Sequence, residues 1–200
     1  MKVHETVTRM TTEEKIHMLT GGGGMDTASG ERLQIEKKHM ADGPAGIRNE
    51  AKKGNCTLLP NTSALAASWN TELCRLYGNV LAEDCIRHNI DMILGPGVNI
   101  KKNILCGRNF EYFSEDPYLA GELASEYING VEENGVAACI KHFAANNQEK
   151  YRTDISSEID ERTLREIYLK PFEIAVKKSN PAAVMCAYNK LNSIWCSENR

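Results

Sequence analysis

V-A-A-C-I-K-H-F-A-A-N-N-Q-E-K-Y, residues 136–151, decides how the chain is read. It opens on five apolar residues, Val136 to Ile140, and turns abruptly into Lys141, His142, Asn146, Asn147, Gln148 and Glu149. A short apolar run of small and β-branched residues after Asn134-Gly135 predicts a fully buried strand. Lysine is almost never buried unless paired. In β/α folds, ligands bind at the carboxyl ends of strands. Lys141-His142 is therefore expected to floor a site; the bland alternative is a solvated strand edge.

Outward from this strand the chain alternates. Thr11 and Glu14 are spaced as a capping box for a short helix, with Ile16 and Leu19 expected to face inward. Gly21–Gly24 stops it; with no preceding strand and no following Gly-Lys-Ser/Thr, a phosphate loop is discounted. Met40-Ala41 leads into Asp42-Gly43-Pro44-Ala45-Gly46-Ile47-Arg48, a sharp turn after a short strand. Ser63–Trp69 is predicted as a second strand, joined to the first without a helix. A helix from Asn70 or Thr71 to His88-Asn89 would place Leu73, Leu76, Tyr77, Val80 and Leu81 on one face. Asp91–Leu94 predicts a third strand. Asp116-Pro117 opens a helix that closes near Asn134-Gly135. Residues 160–178 predict a helix broken or kinked at Pro171, and Ala183–Ala187 a further strand ending in Tyr188.

This order argues for an α/β parallel sheet. Polar residues recur just past the strand ends: Asp42, Lys141-His142, Tyr188. One face collects them, which is the layout of a (β/α)-barrel site.

Bulk properties exclude several classes. The chain has 200 residues, 42% hydrophobic and 26% charged, with a net charge of −3. Those are globular values, and nothing points to nucleic acid or an anionic membrane. No stretch reaches the roughly 18 apolar residues of a membrane span. Seven cysteines without a CxxC predict free thiols in a reducing, cytoplasmic compartment. The first ten residues lack the apolar core of a secretory signal. Neither a metal nor a cofactor is expected.

Five motifs carry a resemblance. They are M-A-D-G-P-A-G (40–46), G-R-N-F-E-Y-F-S-E-D-P (107–117), K-H-F-A-A-N-N-Q-E (141–149), I-D-E-R-T-L-R-E-I-Y-L-K-P-F-E (159–173) and V-M-C-A-Y-N (184–189). In this order they resemble the family-3 glycoside hydrolases, in the β-glucosidase branch. The N-acetylglucosaminidase branch follows Lys-His-Phe with Pro-Gly and a catalytic Asp/His pair. Here Ala144-Ala145 follow and that His is missing.

The resemblance implies a partial TIM-like (β/α) barrel and a pocket for one non-reducing sugar. By motif, Asp42 would accept hydrogen bonds from the sugar's remote hydroxyls. Arg108, Lys141 and His142 would hold the middle ones. Arg152 and Tyr188 would lie beside the reacting carbon and the nucleophile, Met185 would contact the substrate, and Arg48 would steady Asp42 or the loop around it. Sugar hydroxyls both donate and accept, so charged acceptors and forked donors suit them. A retaining mechanism needs two carboxylates roughly 5–5.5 Å apart. The family's nucleophile is an Asp on the next strand, and its general acid comes from a later domain. No catalytic carboxylate is therefore expected within 1–200, which reads as an incomplete N-terminal barrel domain ending before the nucleophile strand. Its partner would be a β-glucoside or short oligosaccharide; self-association through the open barrel edge is also expected. The competing reading is a non-catalytic sugar-binding or structural fragment.

Overall fold

The computed structural model describes residues 3–48 and 56–200. Four strands run parallel in the spatial order β1 (Met40–Asp42), β2 (Met92–Leu94), β3 (Ala137–Phe143) and β5 (Ala183–Cys186). Their order along the arc follows their order in the sequence, as successive β/α units of a barrel wall require. Their register aligns Asp42 with Leu94, Ile93 with Ala138, and Lys141 with Met185. A second, small sheet joins β4 (Ser156–Ser157), β6 (Lys190–Leu191) and β7 (Ile194–Trp195) beside the carboxyl ends of the first.

The helices follow their capping chemistry. Thr11 and Glu14 form the reciprocal capping box that opens α2 (Thr12–Thr20), after a first helix α1 (Val3–Arg9). Asn70 caps α4 (Thr71–Arg87) through the Leu73 amide, and Asp116 caps α5 (Pro117–Glu132) through the Leu119 amide. Between α6 (Glu161–Thr163) and α7 (Lys170–Ser179) the chain makes one π-helical turn, Leu164–Tyr168. Pro171 lacks an N–H to donate back into that turn, and the widened turn is how the expected break is accommodated.

Three sequence expectations fail here. Ser63–Trp69 is not a strand: Thr62–Ala67 forms α3, capped by the Asn61 side chain on the Ala64 amide. Its Ala-rich composition favours helix, and a short apolar run cannot tell the two apart by periodicity. The connection back to Asp42 lies partly outside the described residues. On α4 the buried face is Cys74, Tyr77, Gly78, Leu81, Ala82 and Cys85, whereas Leu73 and Leu76 are exposed. Ile16 and Leu19 are also exposed, so α2 packs no apolar face into the core.

One layer of α4 and α5 covers the sheet. The helices cross so closely that a Cβ on Gly130 would lie 2.1 Å from the Arg75 carbonyl oxygen, and one on Gly78 2.4 Å from that of Tyr127. Only glycine fits either position. Beneath the crossing, Leu81, Ile93, Leu123, Tyr127, Ile128 and Ile140 form the buried centre. The Tyr127 hydroxyl donates to the Pro44 carbonyl at 3.1 Å, tying the helical layer to the turn after β1. At the other end β5 pairs only with β3, and its outer edge has no strand neighbour among the described residues. Val184 and Val176 stay half-exposed beside it, together with Phe143.

Candidate functional site

The carboxyl ends of β1 and β3 bring Asp42 and Lys141 together. The Lys141 ammonium donates to Asp42 Oδ1 at 2.6 Å and lies 3.7 Å from Glu111 Oε2. Lys141 is 1% exposed and Glu111 4%, so the cation and one carboxylate are buried, while the Asp42 side chain, 32% exposed, opens toward solvent. Arg108 closes the cluster with an ion pair to Glu111, both carried on the turn Arg108–Glu111. Burial of Asp42 works against its charge. The Lys141 ammonium, its hydrogen bond and the Gly43 amide outweigh that and hold the carboxyl below its ordinary range. Arg108 is likewise opposed by burial but held charged by Glu111. Both groups are therefore ionised at neutral pH.

Arg48 acts through its backbone. Its amide donates to the Asp42 carbonyl at 2.8 Å, closing the turn behind Asp42, while its side chain stays exposed. Between this turn and the Arg108–Glu111 turn lies a cavity of about 450 Å³, lined by Asp42, Arg48, Leu58, Arg108, Phe110 and Glu111. Small-molecule pockets fall in this size range.

His142 sits beside Lys141 because β3 is irregular. Lys141 pairs with Met185 and Phe143 with Cys186, so His142 is an extra residue on its strand. The Asn99 carboxamide supplies the missing ladder partner. Its Oδ1 accepts the His142 N–H and its Nδ2 donates to the His142 carbonyl, both at 2.9 Å. The imidazole Nδ1 lies 3.2 Å from the Tyr112 hydroxyl and 3.2 Å from Asn99 Oδ1. Burial, then the nearby charges of Arg108, Lys141 and Arg152, push its pKa down to about 2. His142 is a neutral ring, suited to hydrogen bonding and not to carrying charge.

Arg152 and Tyr188 form a separate couple, the guanidinium 5.3 Å from the ring centroid. They join the first cluster through a chain of polar contacts. Arg152 donates to Glu149, Asn146 donates to Glu149, and Asn146 lies 3.5 Å from the Tyr112 hydroxyl that meets His142. Met185 is half-buried on β5, beside Lys141 in the register. Of the eight expected residues, the structure thus joins Asp42 and Lys141 directly and Arg108 to them through Glu111. His142 adjoins them, Arg152 and Tyr188 connect through Glu149, Met185 lies alongside, and Arg48 contributes only backbone.

Sequence reasoning missed Glu111, Asn99, Tyr112, Asn146 and Glu149 as members of the site. Glu111 had a visible signal, an acid three residues after Arg108 in a short turn. Asn99, a lone amide among Gly97, Val98 and Ile100, had none that spacing could supply. Among the described residues, no group of His, Cys, Asp and Glu is placed to hold a metal, and no helix is long and apolar enough to cross a membrane. All seven cysteines are free thiols.

The pattern of the glycosyl hydrolase family 3 N-terminal domain matches residues 7–200. The chain belongs to glycosyl hydrolase family 3. Thermostable β-glucosidase B of Acetivibrio thermocellus is 49% identical to it, over 99% of this chain and 27% of the relative. An exo-α-(1→6)-L-arabinopyranosidase of Bifidobacterium longum is 41% identical, over 98% of the chain and 27% of the relative. β-Glucosidase 3B of Thermotoga neapolitana, solved in complex with glucose, superposes with a TM-score of 0.92 at 44% identity. That match covers 98% of this chain and 30% of the solved one. The family-3 chain described here therefore spans under a third of these relatives, and its four parallel strands are the corresponding arc of a TIM-type barrel.

Proposed function

We propose that this chain provides the sugar-hydroxyl-binding part of a retaining glycoside hydrolase site that releases a terminal non-reducing β-D-glucosyl residue. The Lys141–Asp42 contact carries the reading. It pairs a buried ammonium with a part-exposed carboxylate at converging strand ends, opening beside a cavity with Arg108 and Glu111 on its far wall. Ionised Asp42 accepts from two remote hydroxyls. Lys141 and Arg108 donate to the middle ones, with neutral His142 beside them. Such charge-assisted bonds fix a ring and can strengthen as it approaches an oxocarbenium-like transition state. Arg152 and Tyr188 would flank the nucleophile and Met185 the adjoining wall, with the nucleophile and acid supplied from outside residues 1–200. An arabinopyranosidase stands among the relatives beside the β-glucosidases, which supports a terminal pyranoside of a β-glucoside or short oligosaccharide as the substrate class. The free thiols support a reducing, cytoplasmic setting.

A test follows on the 200-residue chain. It is expected to show no turnover of an aryl β-glucoside above background, because binding alone that is uniform between ground and transition state does not raise turnover. The native polypeptide carrying these residues is expected to turn it over. Robust turnover by the 200-residue chain that survived Asp42→Ala and Lys141→Ala would place the site elsewhere.

The exposed edge of β5 supports self-association of the isolated chain. Phe143, Leu169, Phe172, Val176 and Val184 line an apolar groove there, and edges of this kind pair with other chains. Sedimentation of the 200-residue chain is expected to show concentration-dependent association. A monodisperse monomer that unfolds cooperatively at high concentration would argue against an uncovered edge.

A further inference from the structure

We infer that Lys101 and Ser63 are positioning residues for the sugar site, holding from behind the turn that carries Arg108 and Glu111. The inference rests on the function proposed above. The Lys101 ammonium donates to Ser63 Oγ at 2.5 Å. Ser63 Oγ in turn donates to the Asn109 carbonyl at 2.8 Å and lies 3.3 Å from that of Tyr112. Thr62 Oγ1, one residue earlier on α3, donates to the Phe110 carbonyl at 3.2 Å. The carbonyls of Asn109, Phe110 and Tyr112 are thus all held from the first turn of α3, around the residue whose carboxylate meets Arg108 and Lys141.

Lys101 has no structural reason to be a cation at this place. It is part-buried, and its pKa is lowered by desolvation, with no carboxylate in ion-pair contact among the described residues. A desolvated cation without a counter-ion costs stability. What it holds is Ser63 Oγ, the hydroxyl on which the carbonyls of the turn converge. The ammonium orients the Ser63 hydroxyl, by occupying its lone pair, so that the hydroxyl proton goes to the Asn109 carbonyl. A neutral side chain at 101 leaves that hydroxyl free to rotate and the turn free to shift. Arg108 and Glu111 are close enough to the cavity that sub-ångström shifts in their turn alter how they meet a bound ring.

The test uses the native polypeptide carrying these residues, with kcat/KM on an aryl β-glucoside and Tm measured together. Lys101→Met, which keeps the aliphatic length, is expected to lower kcat/KM by about tenfold with KM raised. Its Tm should move by less than about 2 °C. Ser63→Ala is expected to have a similar effect, with little added in the double variant because both act through one hydroxyl. Lys101→Arg is expected to recover most of the activity. A kcat/KM within twofold of the parent for both single variants overturns the inference. So does a loss that tracks Tm and is not recovered by arginine, since that is a purely structural role. Arg108→Ala separates the two claims. If it abolishes activity while Lys101→Met does not, only the positioning role fails; if neither matters, the site itself is wrongly assigned.

Discussion

Lys141→Met in the native polypeptide is expected to lose about 10- to 150-fold in kcat/KM, the range for one charge-assisted hydrogen bond worth about 1.5–3 kcal/mol. Methionine keeps the length and volume of the lysine stem, so no cavity opens and the effect isolates the ammonium. The same change should also destabilise the fold, by about 3–5 kcal/mol, because it removes one partner of a buried charge cluster. Lys141 sits 2.6 Å from Asp42 and 3.7 Å from Glu111 and is 1% exposed. Without it, Glu111 keeps only Arg108 in a buried position, and Asp42 loses the ammonium that holds its charge. Denaturant unfolding and steady-state kinetics on the same preparations check both halves. A variant as stable and as active as the parent would mean that Lys141 is a spectator.

The second large effect is a pH dependence of stability set by His142. Its folded pKa is pushed to about 2 against an ordinary 6.5, by burial and then by three cations. Between those values the unfolded chain binds a proton that the folded chain refuses. Stability is then fully present above pH 6.5 and is lost as pH falls toward 2. The slope is about 1.4 kcal/mol per pH unit. The depressed carboxyls, Asp42 among them, have ordinary values of 3.8–4.5 and lose their contribution only at lower pH. The window from about pH 6.5 to 5 therefore reads His142, with an expected fall of about 2 kcal/mol. His142→Asn should start less stable, since Tyr112 loses a ring partner, but should flatten that window. Parallel stability curves for the two proteins would sink the account.

The 3.6-residue and strand-length patterns, read with caps and glycines, determined most of the architecture. The strand over 136–140, the helices after Asn70 and Asp116 and the strand at Ala183 are local matters of periodicity and capping, and local physics is written in local sequence. The Ser63–Trp69 segment shows the limit. Seven small or apolar residues suit a buried strand or a buried helix equally, and contact with the Arg108–Glu111 turn and α5 chose helix. The α4 face was misplaced for a related reason. Leu73 and Leu76 fit the period, but the close glycine crossing with α5 selected the neighbouring stripe through Cys74, Tyr77 and Leu81.

For the site, residue type and position after a strand were enough to mark Asp42, Lys141 and His142, because a cation ending an apolar run has few uses. Arg108 came from a motif. What only the tertiary structure decided is how they meet. The bulge at His142 interrupts the pairing of β3 with β5 just where the strand turns polar. Asn99 completes that bulge from 43 positions away in sequence. Glu111 is placed beside a lysine 30 residues distant. Such pairings follow from chain topology and low-dielectric packing, which no local pattern encodes, and that is why Asn99, Lys101 and the meeting of Glu111 with Lys141 surfaced only in three dimensions.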